Sequence, residues 1–215
     1  MVSRAHTEKM KIRSWVVAMR ARIPMTAPAV VALVPFLFTS AVQNPSLPKA
    51  YNVDEAYQIY SLLIPSEGAY KNGNGTLIIQ EETVSWPVAP GCVSAQAADR
   101  FKDALASYAK AQKHMWRLER QFQIERPYKL VPSDTIHKFF NEHGPEGWHD
   151  FYREYPNSGG FIAISPVGFN QSKTLAVVYS GSSYGSQGAY WSFHLLEKGK
   201  GGWRLVPGVT CAMVS

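Results

Sequence analysis

The residues best placed to do chemistry lie late in the chain. Gly181-Ser182-Ser183-Tyr184-Gly185 fits G-x-S-x-G, the turn that presents a nucleophilic serine in α/β-hydrolases, and a β-rich run precedes it as that turn requires. His194 is the one histidine after Ser183. A serine nucleophile needs a base to take its proton and an acid to orient that base. Here the context departs from the pattern. A nucleophile turn runs into a helix, whereas this loop runs into AYWSFHLLE, a strand pattern, and no Asp or Glu separates Ser183 from His194. Ser183 and His194 are the catalytic candidates of a serine hydrolase that remains the alternative reading. The competing reading is a Gly/Ser-rich hairpin loop, for which those residues are ordinary.

His143, Glu146, His149 and Asp150 form a second group, of metal-ligating types. Gly144, Pro145 and Gly147 interrupt it, so no regular helix aligns the two histidines, and the spacing is not H-E-x-x-H. It reads as a polar turn between short helices, and neither a metal nor a cofactor is expected. Tyr184, Tyr190 and Trp191 flank the Gly-rich loop. Exposed aromatics of this kind stack on ligands, although most rings of a small domain serve its core. These three are the candidate ligand-binding residues. Cys92 and Cys211 are an even pair, and one disulfide between them is expected if the chain is exported; two separate buried thiols are the alternative. Asn74-Gly-Thr76 and Asn170-Gln-Ser172 match the glycosylation sequon by composition alone.

These residues need elements to hold them. Asp54 to Ile64 reads as a helix with Ala56, Ile59, Tyr60 and Leu63 on one face, stopped at Pro65. A Gly/Asn loop leads to a strand over Thr76–Ser85. From Ser94 to about Glu125, apolar residues recur at Ala98, Phe101, Leu105, Tyr108, Met115, Leu118 and Phe122. That spacing predicts one long amphipathic helix with Ser94 as its N-cap. Two short helices follow, one from Ser133 to Gly144 and one carrying Trp148, Phe151, Tyr152 and Tyr155. Gly160–Ser165, Lys173–Ser180, Ala189–Glu197 and Gly202–Val206 are β-rich runs separated by turn residues. The expected fold class is α+β: N-terminal helices, one long helix, and a C-terminal antiparallel four-stranded β-meander.

The N-terminus sets the expected address. Residues 1–41 hold six of the 22 Lys and Arg (Arg4, Lys9, Lys11, Arg13, Arg20, Arg22) and one of the 16 Asp and Glu (Glu8), so the remainder carries 16 bases and 15 acids. The basic character is that of the leader, and a near-neutral remainder offers no footprint for nucleic acid. An apolar stretch from Ala27 to Phe38 follows the basic region, and Thr39 and Ala41 are the small residues of a cut before Val42. Residues 1–41 are expected to be a signal peptide, with only transient membrane contact, residues 42–52 a linker, and residues 53–215 a single domain. A permanent anchor is the alternative; the stretch is short for a span and carries Pro28 and Pro35. The expected location is secreted or periplasmic.

From Tyr155 to Trp203, the run YPNSGGFIAISPVGFNQSKTLAVVY, then GSQGAYWSFHLLEK and GGW, resembles the C-terminal region of small, functionally uncharacterised bacterial secreted proteins. The shared pattern is a GF-N turn, a KT-x-A strand, a Gly-rich loop and a Leu-x-Lys hairpin ending in Trp. It covers about a quarter of the chain. The resemblance implies cysteines in the Gly-rich loop, and Ser182 to Ser186 holds none. It implies bacterial export and brings no activity. The sequence therefore points to an exported, non-catalytic domain that binds an envelope partner or an extracellular ligand.

Overall fold

Leu77, Ile78, Ile79 and Gln80 are all buried, so this short strand is covered on both faces, as central strands of layered sheets are. The computed structural model containing it describes residues 48–67, 75–186, 188–209 and 212–214, all within one compact unit, Pro45–Ser215. The expected signal peptide, most of the linker, the Gly/Asn loop with Asn74, and Cys211 lie outside the described residues.

In chain order the elements are β1 (Lys49–Ala50), α1 (Asp54–Leu63), β2 (Leu77–Gln80), α2 (Ala95–Arg100), α3 (Lys102–Ala111), β3 (Trp116–Arg117), β4 (Tyr128–Val131), α4 (Ser133–His143), α5 (Gly147–Glu154), β5 (Phe161–Ile164), β6 (Gly168–Phe169), β7 (Leu175–Gly185), β8 (Gly188–Gly199), β9 (Gly202–Val206) and β10 (Ala212–Val214). The class is α+β. The sheet is larger than a four-stranded meander: among the described residues it has eight strands, in the order β10-β8-β7-β5-β2-β4, with β6 on β7 and β9 on β8. β5, β7, β8 and β9 are antiparallel neighbours, but β2 lies parallel to both β4 and β5, so the whole is mixed.

Alternation along the strands assigns the two faces. On one face Leu77, Ile79, Ile162, Ile164, Ala176, Val178 and Leu196 pack against Tyr57, Ile59, Tyr60 and Leu63 of α1. On the other, Val177, Tyr179, Phe193 and Leu195 pack against Phe101, Ala104 and Tyr108 of α2 and α3. Farther along that second face, Ile78 and Phe161 meet Ile136, Phe151 and Tyr155 of α4 and α5. Acidic Asp54 and Glu55 occupy the first turn of α1, where the helix dipole favours negative charge.

The single long helix expected from Ser94 to Glu125 is corrected. Ser94 does cap α2, its Oγ accepting from the Ala97 N–H at 3.4 Å. The backbone leaves helical geometry at Phe101 (φ −97°, ψ 11°), and α3 ends at Ala111. Beyond it the chain is extended: Trp116–Arg117 pairs parallel to Lys49–Ala50, and the Leu118 N–H donates to the Glu81 carbonyl at 2.8 Å. Leu118 and Phe122, which continue the helical stripe in sequence, are buried against α1 on the opposite face from Phe101 and Tyr108. Their three- and four-residue spacing is produced by an extended segment that burial holds in place, a case of tertiary packing overriding local periodicity.

Candidate functional site

His194 sits on the α1 face of β8, opposite Val178, and diagonally beside Ser180. The chain leaving α1 passes through a 3-10 turn at Ile64–Ser66 and delivers Glu67 to the same spot. Ser180 Oγ donates to Glu67 Oε1 in a short hydrogen bond. Ser180 Oγ is 2.8 Å from His194 Nε2, and His194 Nε2 is 3.5 Å from Glu67 Oε1. Serine, histidine and carboxylate therefore meet, but not as a catalytic triad. In a triad the acid binds the far ring nitrogen of the histidine and the near nitrogen accepts the serine proton. Here Ser180 Oγ donates to Glu67, and the carboxylate lies near the same ring nitrogen, Nε2, that faces the serine. Ser180 is fully buried in mid-strand, and the Glu67 and His194 side chains are 2% and 14% exposed. Glu67 Oε2 and the neighbouring Ser182 Oγ are buried without a hydrogen-bond partner. The arrangement holds a buried carboxylate; it does not present a nucleophile.

The expected pair of Ser183 with His194 is not formed. Ser183 opposes Ala189 and His194 opposes Val178, which places the two side chains on opposite faces of the sheet. The G-x-S-x-G match is a strand that pairs with β5 on one side and β8 on the other. Gly181 is required there for packing, since a Cβ at that position would stand 2.7 Å from the Trp191 ring.

The three aromatic candidates do not make one surface. Tyr190 opposes Ser182 on the α1 face. Trp191 points to the other face and stacks on Tyr179 at 5.7 Å, and Tyr179 in turn stacks on Trp86 at 5.2 Å. Burial holds the Tyr179 hydroxyl far above its usual range. Tyr184 lies over Gly188, and its carbonyl accepts from Tyr152 Oη at 2.8 Å. In the His143 group, His143 Nδ1 faces Asp150 Oδ2 at 3.3 Å and Arg153 holds the other Asp150 oxygen at 2.6 Å. Among the described residues no three His, Cys, Asp or Glu side chains converge. Asn170 is taken up by its turn, its Oδ1 accepting from the Thr174 and Leu175 N–H groups at 2.8 and 2.9 Å. Cys92 is buried in the α2–α3 core. Val93 pairs with Val209, which sets the C-terminal segment beside Cys92, while Cys211 itself lies outside the described residues.

An open cleft of about 500 Å³ lies on the other face, where α2 crosses the β8–β9 end of the sheet. Its apolar floor is Ala97, Val206 and Pro207, with Phe101 buried beneath them. At its mouth Glu197 accepts from both Arg100 and Arg204. The Arg100 guanidinium, with Arg204 behind it, holds the Glu197 carboxyl below its ordinary range. The guanidinium side chains are 52% and 69% exposed, so both charges stand in reach of solvent. Gly208 closes one end with φ +132°; its missing side chain lets the backbone come down on α2, for a Cβ would lie 2.6 Å from that of Ala97. Ser94 N–H donates to the Gly208 carbonyl at 2.8 Å and fixes that approach.

His194 lies beside Ser180 and not beside Ser183, and no sequence motif marks the cleft. Counting back from the hairpin turn places Ser180 and Ser182, not Ser183, on the face of His194. The same count across Lys198–Gly202 places Arg204 opposite Glu197. Nothing local marks Glu67 or Arg100, which reach their partners from 113 and 97 residues away. Comparison with family models, with curated proteins and with solved structures gives no match.

Proposed function

We propose that this chain is an exported, non-catalytic domain that binds a small ligand in the cleft between α2 and the β8–β9 hairpin. In this reading residues 1–41 are a cleaved signal peptide, the mature protein is secreted or periplasmic, and Cys92 pairs with Cys211. The observation that carries the binding function is a contrast in access. The serine, histidine and carboxylate that resemble catalytic machinery are buried and bonded to one another. The cleft is open, has an apolar floor and converging charged groups, and its volume is within the roughly 300–1,000 Å³ usual for small-molecule sites. Among the described residues no helix is long and apolar enough to cross a membrane. The 2.8 Å approach of Ser180 to His194 and the G-x-S-x-G match favour a hydrolase instead.

Two measurements on the full chain, produced in a bacterium with its leader, test this. Intact mass in the envelope and medium fractions is expected to match a start near Val42 and to rise by about 2 Da on reduction. Full-length, reduced protein in the cytosol contradicts the export reading, and full-length protein fixed in the membrane supports the anchor instead. A fluorophosphonate probe is expected to leave the protein unlabelled; labelling lost in Ser180→Ala or Ser183→Ala decides for the hydrolase.

A further inference from the structure

Resting on the binding reading above, we infer that the ligand of the cleft is a small amphipathic anion: one carboxylate or sulfonate held between Arg100 and Arg204, with an apolar body laid on Ala97, Val206 and Pro207. The charged lining residues are two arginines and one glutamate, a local excess of one positive charge. Each guanidinium carries five N–H donors in a planar fork suited to carboxylate-like oxygens, and Glu197 uses only part of that capacity. Arg100 is also set against the Phe101 ring, its Cζ 5.5 Å from the centroid, so the anion site borders directly on the apolar floor. Glu197 occupies the place an acidic ligand would take. Unliganded, it neutralises and gathers the two arginines; when the ligand binds, its acid group takes over guanidinium N–H bonds that Glu197 now accepts. A single excess charge and an apolar floor suit a monoanion with a hydrocarbon or aryl body, not a polyanion. The near-neutral composition beyond residue 41 agrees with that.

The test uses two dyes of nearly the same body, 8-anilinonaphthalene-1-sulfonate and the neutral N-phenyl-1-naphthylamine, titrated into the exported protein at low salt. The sulfonate is expected to bind at least about tenfold more tightly, the discrimination one charge-assisted hydrogen bond supplies. Arg100→Gln and Arg204→Gln should each weaken the sulfonate about five- to tenfold while leaving the neutral dye unchanged, which also shows that the variants are folded. Arg153→Gln, on α5 and away from the cleft, should change neither. Glu197→Gln, which removes the internal competitor, should tighten the sulfonate about threefold. Equal affinity for the two dyes, or a sulfonate affinity indifferent to both arginines, overturns the anion assignment and leaves an apolar cleft. An affinity in Glu197→Gln that is unchanged or weaker overturns the exchange with Glu197. Failure of both dyes to bind overturns the binding reading itself.

Discussion

Ser180→Ala and Ser182→Ala differ by two residues on one strand and one face, yet they should behave very differently. Ser180 Oγ donates to the buried Glu67 carboxylate and stands 2.8 Å from His194 Nε2. Its removal strips Glu67 of a charge-assisted bond, worth about 1.5–3 kcal/mol, and His194 of a second, worth about 1 kcal/mol. His194 Nε2, at 3.5 Å from Glu67 Oε1, recovers part of this by closing the gap. The expected net loss is about 3 kcal/mol, or a fall in Tm of about 6–12 °C for a domain of this size. Ser182 Oγ is buried and bonded to nothing, so its deletion removes an unsatisfied hydroxyl and should shift stability by less than about 0.5 kcal/mol, or raise it. Urea unfolding followed by tryptophan fluorescence gives both values, with an unchanged m-value guarding the comparison. A Ser180→Ala effect below about 1 kcal/mol, or equal effects at the two serines, would refute the argument that Glu67 is held in place by Ser180.

Other outcomes follow from the same packing. The Tyr51 and Tyr108 hydroxyls are pushed up to about 12, chiefly by burial. Folded values above the unfolded value of about 10 mean that stability is complete below pH 10 and is lost as pH rises from 10 toward 12, because the unfolded chain releases those protons first. Phenolate absorbance should accordingly lag for these two, and for Tyr60 and Tyr179, which burial raises further still, and rise together with unfolding; free titration of every tyrosine in the folded protein would contradict this. Gly208→Ala should cost about 2–4 kcal/mol, from the clash with Ala97 and the positive φ, and a thermal melt indistinguishable from the parent would remove the reason given for that glycine. The proposed Cys92–Cys211 bond closes a loop of about 120 residues, so reduction should cost up to about 4 kcal/mol; melts identical with and without reductant would argue for two thiols.

Much of the architecture was readable where local signals and burial agree. The α1 stripe of Ala56, Ile59, Tyr60 and Leu63 is the face that packs on the sheet. Gly144 terminates α4 and the glycines at 199–202 mark the β8–β9 hairpin, whereas the stretch from Gly181 expected as loop is the paired end of β7. Prediction failed where a long-range contact decided the conformation. Residues 115–122 keep a helical spacing but follow the edge made by Glu81, Thr83 and β1. The parallel pairing of β2 with β4 and β5 depends on segments about fifty and eighty residues away, which no local pattern records. At the candidate sites the limit was the same: His194 was legible as chemistry, while its partner Glu67 and the Arg100 of the cleft arrive from distant elements.

Backbone amide chemical shifts of the isotope-labelled protein, followed during titration with 8-anilinonaphthalene-1-sulfonate, would locate the ligand without presuming its position. Saturable shifts concentrated at Arg100, Phe101, Glu197, Arg204 and Gly208, with Ser180 and His194 unmoved, are the result expected of a binding domain that uses this cleft. Shifts centred on Ser180, Ser182, Tyr190 and His194, with the cleft silent, would contradict it and return the buried serine–histidine pair to the centre of the protein's function.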